Sequence, residues 1–385
     1  MAQTIYLDHA ATTPVRPEVL AAMEPYFTSV YANPATIYSM GMEARSAVNA
    51  AREIVAGAMG ADPDEVYFTS GGTESDNWAV RSGALANAEN GRRVLVSSIE
   101  HHAVLESACA LKEEGFEVEF LPVDGEGFVT PDVVREALRR PASLVSVMHV
   151  NNEIGTIEPI AEIGEICRER GVLFHTDAVQ SFGKIPIDVR SQNIDMLSIS
   201  GHKIYGPKGI GAFFLNRNVA IEPFMHGGAQ ECGKRAGTLN VPGIVGLGKA
   251  TECAVTDLEP EAKRLSRLRD LLIACLFEVI PGVVLNGSRR QRLPGNVNIC
   301  IPGAEGETLL LALDEAGISA SAGSACSTGS TEPSHVLTAI GVPRELARGS
   351  LRLTLGISTT EADIQRVAST IVKITDRITK MRAPL

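Results

Sequence analysis

The chain has 385 residues, 44% of them hydrophobic and only 5% aromatic, and a formal charge of −11. A surplus of anions this large opposes binding to a phosphate backbone, and no Lys/Arg-rich block offsets it locally, so nucleic acid is not an expected partner. No apolar run approaches the ~18 residues needed to cross a bilayer, and Met1 to Ile5 lack a charged stretch ahead of an apolar core, so neither a membrane span nor a signal peptide is expected.

In chain order, 66–68 reads as a strand that turns through Thr69-Ser70-Gly71-Gly72-Thr73-Glu74 into a helix. A strand over 93–97, a helix over about 102–114 and a strand over 117–121 follow. Thr130 with Pro131 marks a helix start. Strands over 143–147, 172–174 and 195–199 then alternate with helices such as 160–170. Repeated strand–helix–strand units imply a mostly parallel sheet covered on both faces, with ligands at the carboxyl ends of its strands. After Gly248 a helix over about 249–279 ends at Pro281-Gly282, and the rest reads as a smaller α/β unit. Its last helix is capped at Thr359-Thr360-Glu361 and carries Ile364, Val367, Ala368, Ile371, Ile374 and Ile378 on one stripe. The expected fold class is therefore α/β. A large unit spans 1–250, a smaller one spans 251–385, and residues 1–14 associate with the smaller.

Three features at the predicted carboxyl edge carry chemistry. Lys203, in Ser200-Gly201-His202-Lys203, directly follows an apolar strand, where a buried amine can form an imine with an aldehyde; Ser200 and His202 beside it can bond a phosphate. Lys208, in Gly206-Pro207-Lys208-Gly209, reads instead as a solvated turn residue. Asp177 ends the run from Gly171 to Asp177, where a carboxylate can hold a pyridinium nitrogen or simply cap a helix. The Gly71-Gly72 turn, with Gly72 and Thr73 opening a helix, aims backbone N–H groups at an anion. Imine former, ring-nitrogen partner and phosphate cradle together describe a pyridoxal phosphate site.

The seven cysteines include no Cys-x-x-Cys pair, which argues against a disulfide framework and a zinc site and for a reducing, cytoplasmic compartment. Cys109, Cys167, Cys253, Cys275 and Cys300 lie in apolar or helical surroundings that suit inert packing. Cys326 sits instead among Gly323, Ser324, Ala325, Ser327, Thr328, Gly329 and Ser330, which cannot pack a core, so an exposed, mobile loop and a reactive thiol are expected. Gly228 to Lys234 and Gly243 to Lys249 approach a phosphate-binding loop, but Arg235 and Ala250 stand where a hydroxyl is required.

Tyr6-Leu7-Asp8-His9-Ala10-Ala11-Thr12-Thr13-Pro14, Glu100-His101-His102-Ala103-Val104, Asn151-Asn152-Glu153-Ile154-Gly155, Ser200 to Lys203 and Gly323-Ser324-Ala325-Cys326-Ser327 occur in that order. In this the chain resembles the cysteine desulfurases of the NifS/IscS type nearly end to end. The resemblance implies the pyridoxal phosphate fold type I, aspartate aminotransferase-like. It implies conversion of L-cysteine to L-alanine, a persulfide on Cys326, and delivery of sulfur to an acceptor protein such as an iron–sulfur scaffold. By the same carry-over His101 stacks on the cofactor ring and handles the thiol proton. Gln180 bonds the ring hydroxyl, Asn152 contacts the cofactor, and Asn33, Asn152 and Arg352 meet the substrate; for Arg352 a structural salt bridge is the alternative. Thr238 would complete the phosphate cradle of a neighbouring subunit in a homodimer.

Two departures from the family pattern stand out. Cys232 occupies a position where arginine is expected, and the chain stops at Leu385 without the longer C-terminal extension that some members use to dock a scaffold. Rival readings are an aminotransferase or selenocysteine lyase of the same fold, or a non-catalytic assembly platform, against which Lys203 speaks.

Overall fold

The computed structural model describes residues 4–322 and 333–382, so the expectation for Cys326 falls outside the described residues. The strands are β1 (Ile5–Tyr6), β2 (Val66–Thr69), β3 (Arg93–Ser97), β4 (Glu117–Leu121), β5 (Leu144–Ser146) and β6 (Leu173–Asp177). They continue with β7 (Met196–Ser200), β8 (Gly211–Leu215), β9 (Val284–Leu285), β10 (Asn296–Cys300), β11 (Ile318–Ser319) and β12 (Ser350–Thr354).

Among the described residues the main sheet runs β2-β8-β7-β6-β5-β3-β4. β3 to β7 are mutually parallel where they pair, while β8 lies antiparallel between β7 and β2. Side chains of its strands divide between two apolar layers: Leu95, Leu197, Ile199 and Phe214 enter one, and Val94, Val96, Met196, Phe213 and Leu215 enter the other. Strands apolar on both faces must be covered on both, which is the condition for a largely parallel sheet. Because β2 is brought back into line with β7, the ends of β2, β3, β5, β6 and β7 share one edge.

A second sheet, β12-β10-β9, is antiparallel, and β1 pairs in parallel with β11. Ile5 and Leu7 pack into this unit's core with Val297, Leu351 and Ile364. The Val241–Val279 helix serves both cores, giving Ile244 and Leu247 to the first and Leu272 and Leu276 to the second. A division at 250/251 therefore runs through a continuous helix.

That helix begins eight residues earlier than its sequence suggests. Asn240 accepts a bond from the Gly243 N–H at 3.1 Å, and Pro242 sits in the first turn. Its glycines serve close packing: a Cβ on Gly248 would lie 2.7 Å from Ala51 Cβ on the Ser39–Gly57 helix. The helix expected over 102–114 stops at Ala110 because Gly115, at φ +81°, reverses the chain and the Phe116 N–H returns to Leu111 O at 3.1 Å. Among the described residues no helix is long and apolar enough to cross a membrane.

Candidate active site

The common edge of the main sheet opens into a cleft of about 350 Å³. Gly72, Thr73, His101, Asn152, Asp177, Gln180, Ser200, His202, Lys203 and Arg352, all singled out from the sequence, line it. The Gly72–Ala86 helix starts at its wall. A side chain at Gly72 would meet Val179 Cγ2 at 2.6 Å, so glycine lets the helix start lie against the segment after Asp177. Gly71 offers no capping side chain, and the first N–H groups of the helix stay available to an anion. Glu74 in the same turn is held below the ordinary carboxylate range. Burial opposes its ionisation, but bonds from Arg235 and from the Ser70 N–H prevail.

Asp177 is 5% exposed at the end of β6 and accepts the Val179 N–H at 2.8 Å. Burial pushes its carboxyl up to about 6, against the pull of that bond and of Lys203. Beneath it lies Asp76, raised well above its ordinary range by burial and then by Asp177; among the described residues its Oδ1 has no hydrogen-bond partner. His175 Nε2 is 3.7 Å from that oxygen and 3.0 Å from Ser198 Oγ, and burial lowers this imidazole to about 3.

Lys203 Nζ donates to the carbonyls of Ala10 and Ala11 at 2.5 and 2.8 Å, which draws the chain's first segment against the cleft. Lys208 is exposed and not part of the lining, as its turn context predicts. His202 Nδ1 lies 3.1 Å from Thr12 Oγ1, and burial, then Lys203, bring its ring down to about 4. His101 caps the His102–Ala110 helix, its Nδ1 accepting the Ala103 N–H at 3.1 Å. Burial, then Lys203, lower it to about 4. The neutral ring is therefore fixed with its remaining proton on Nε2, a donor rather than a strong base.

Arg352, 2% exposed in β12, donates to Asp8 Oδ1 at 2.9 Å and to Asn152 O at 3.1 Å. The salt bridge left open by the sequence is thus present, while among the described residues Arg352 Nε lacks a partner. Asn151 shapes the turn that presents Asn152, its Oδ1 accepting the N–H groups of Glu153 and Ile154, each at 2.9 Å.

Asn33 and Thr238 are not brought to the cleft of their own chain. Both are exposed, and the Asn33 carboxamide is used locally, accepting the Ala35 N–H at 2.9 Å. Cleft residues that the sequence reading missed are Asp76, Glu153 and His335. Asp76 was legible in principle as an acid on the inward face of a helix opened by the Gly71-Gly72 turn. His335 carried no such signal; its Nε2 lies 3.0 Å from Glu100 O, and its ring is 5.0 Å from that of His102.

A family model described as aminotransferase class-V matches residues 5–367. The cysteine desulfurase IscS of Methanosarcina thermophila is 53% identical over 379 residues, 98% of this chain and 94% of its own. The chain belongs to the class-V aminotransferases, in their cysteine desulfurase branch. Among solved structures, a NifS-like protein of this fold superposes with a TM-score of 0.91 at 36% identity, covering 97% of this chain and 100% of its own. SspA in complex with cysteine gives a TM-score of 0.80 at 39% identity, covering 91% and 99%.

Class-V aminotransferases and cysteine desulfurases use pyridoxal phosphate. The cleft suits that group. It brings a buried acid and a lysine together with an uncapped helix start and the hydroxyl residues Thr73 and Ser200, and it leaves Asp76 Oδ1 and Arg352 Nε without hydrogen-bond partners among the described residues.

Proposed function

We propose that this chain is a pyridoxal phosphate-dependent cysteine desulfurase that converts L-cysteine to L-alanine and leaves the sulfur as a persulfide on Cys326. The observation that carries the reading is the meeting of Asp177, Lys203 and the Gly72 helix start in one cleft of a chain 53% identical to a cysteine desulfurase. Bound pyridoxal phosphate supplies an aldehyde that takes up amines and a pyridinium that stores the electron pair released at Cα.

The chain's own groups divide the remaining work. Lys203 holds the cofactor and moves the Cα proton, and Asp177 faces the ring nitrogen with a carboxylate whose burial favours a cationic partner. The N–H groups of Gly72 and Thr73, with Ser200 and His202, receive the phosphate. His101 lays a fixed, neutral ring against the cofactor and holds a proton at Nε2 that it can pass to sulfur or carbon. Arg352 and Asn152 receive the substrate carboxylate, with Arg352 exchanging part of its bond to Asp8. Asn33 and Thr238 act from surfaces outside this chain's own cleft. The Cys326 thiolate then attacks the substrate sulfur. The Cβ–S bond breaks with its electron pair left on carbon, a proton completes alanine, and the S–S bond of the persulfide forms without an external oxidant.

A homodimer follows from the same reading. Phe27, Tyr31, Ile37, Tyr38 and Met42 expose between 48% and 88% of their surface on one short stretch, an apolar area that a second copy would cover. Thr238 would reach the partner's phosphate. The persulfide would pass to an acceptor protein in the cytoplasm, for iron–sulfur cluster assembly. We also assign 1–250 to a cofactor-binding unit, apart from residues 1–14, which go with the smaller unit, and 251–385 to that smaller unit, which carries Cys326.

The deciding experiment is a single turnover of purified protein with L-cysteine. Alanine should appear in step with one extra sulfur on the Cys326 peptide by mass spectrometry. A keto acid in place of alanine would instead assign an aminotransferase.

A further inference from the structure

Behind the cleft lies a second cavity of only about 70 Å³. Ala10, Gln180 and Lys203 line both spaces, so they form the partition between them, whereas Lys184 lines the small one alone. Lys184 is half-buried and donates from Nζ to Gln180 Oε1 at 3.4 Å. Gln180 Nε2 donates to Ala10 O at 3.0 Å, and Lys203 Nζ donates to that same carbonyl at 2.5 Å. One polar line thus runs from the small cavity to the candidate imine-forming amine.

The chemistry of its two ends fixes the middle. An amide side chain can present either its oxygen or its nitrogen, and the two look alike in shape. The Ala10 carbonyl only accepts, which by itself turns Nε2 toward it, and Lys184 in its ammonium form only donates. Turning the Gln180 amide over would set Nε2 against Nζ and Oε1 against Ala10 O, placing donor on donor and acceptor on acceptor. With both bonds made, Nε2 keeps a second hydrogen for a further acceptor, and Gln180 lines the cleft.

We infer that Lys184 is a positioning residue, which locks the Gln180 amide as a hydrogen-bond donor toward the ring hydroxyl of the cofactor. The inference rests on the assignment of Gln180 and Lys203 to the cofactor. Lys184 also stands in electrostatic contact with Lys203: burial, and then that neighbouring cation, bring its amine down to about 7. Arg16, paired with Asp257 at 2.8 Å, and His9, Tyr205 and Glu261 are the other charged or titratable groups facing the cavity.

The test is a double-substitution cycle on the protein reconstituted with pyridoxal 5′-phosphate, read by cofactor dissociation constant and by the pH midpoint of the visible absorption band. Lys184→Met keeps the aliphatic length and removes the donor. It should weaken cofactor binding roughly tenfold, about the value of one hydrogen bond to a charged group, and move the midpoint upward, because the phenolic oxygen loses its donor. Lys184→Arg should restore both. In a Gln180→Met background, Lys184→Met should add less than about twofold. An unchanged Lys184→Met protein beside an altered Gln180→Met one would overturn the inference. So would a Lys184→Met effect of full size in the Gln180→Met background, since the lysine would then act by charge alone. If Gln180→Met moved neither reading, the placement of Gln180 at the cofactor would fall, and this inference with it.

Discussion

Replacing Asp177 by asparagine should make the cofactor-free protein more stable at neutral pH while weakening its grip on pyridoxal phosphate. Burial raises the Asp177 carboxyl from 3.8 to about 6, a displacement of about 3 kcal/mol in the relative stability of its two protonation states. In the folded chain the group keeps a proton that the unfolded chain has already released. Wild-type stability therefore falls as pH rises from about 4 to about 6, and stays lower above that. Asparagine does not titrate and escapes this loss. Asp76, which faces Asp177, is relieved of a like charge in the variant, so its own titration does not narrow the gap, and the attraction of Lys203 is already contained in the position of the Asp177 carboxyl. The expected gap in favour of the variant therefore opens by about 1–3 kcal/mol between about pH 4 and pH 8. Urea unfolding of both cofactor-free proteins, followed by the fluorescence of the buried Trp78, measures it. A gap that stayed flat or closed over that range would refute the argument that the folded chain holds an acid there against its solvation. Binding should move the other way, because the asparagine offers no charge to the ring nitrogen.

Other outcomes follow from the same structure. Lys203→Ala should show no visible band with pyridoxal phosphate, and borohydride reduction of the wild type should mark Lys203; a mark on Lys184 or Lys208 would reassign the amine. Cys326→Ala should keep the visible band and lose alanine formation, and an extra sulfur found on Cys232 instead of Cys326 would move the nucleophile. Arg52 donates to Glu231 at 2.6 and 2.8 Å, and Glu231, 1% exposed in its side chain, also accepts the Phe68 N–H at 2.7 Å. Arg52→Ala strands that carboxylate and should lower unfolding free energy by about 3–5 kcal/mol; a loss below about 1 would show that the carboxylate is solvated. Gly248→Val, pressed on Ala51, should cost about 1–3 kcal/mol by the same measurement.

The main sheet and its reactive edge were readable because both rest on local signals. Runs such as 93–97 and 195–199 put apolar residues on both faces, and Asp177 and Lys203 sit at or just after the ends of such runs. The unread parts depend on groups that carry no signature in sequence. The bonds to Lys203 come from the backbone carbonyls of Ala10 and Ala11, which any residue would offer. The Asp8 partner of Arg352 lies 344 positions away, and the pairing of β1 with β11 and the bridge between Asp8 and Thr354 bring the two ends of the chain together. Glycines misled the reading of 243–248, since they serve helix contact there as well as they could serve a turn. The helix after His101 was overextended because the composition of 111–114 is helical and Gly115 alone ends it.

The Val241–Val279 helix spans roughly 60 Å and has one end in each hydrophobic core, so neither core can melt without pulling on a shared beam. Unfolding should therefore be close to one cooperative event despite the chain's length, and exchange of the amides at the two ends of the helix should share a common free energy. The beam has one seam. Pro260 brings no N–H to the carbonyl of Thr256, and it lies between the last anchor in the first core and the first anchor in the second. Arg16 grips Asp257 on one side of it, and Arg264 holds the carbonyl of Gly356 on the other. Any relative tilt of the two halves would concentrate at this proline, whose neighbours Leu258, Glu261 and Ala262 line the small cavity behind Lys203.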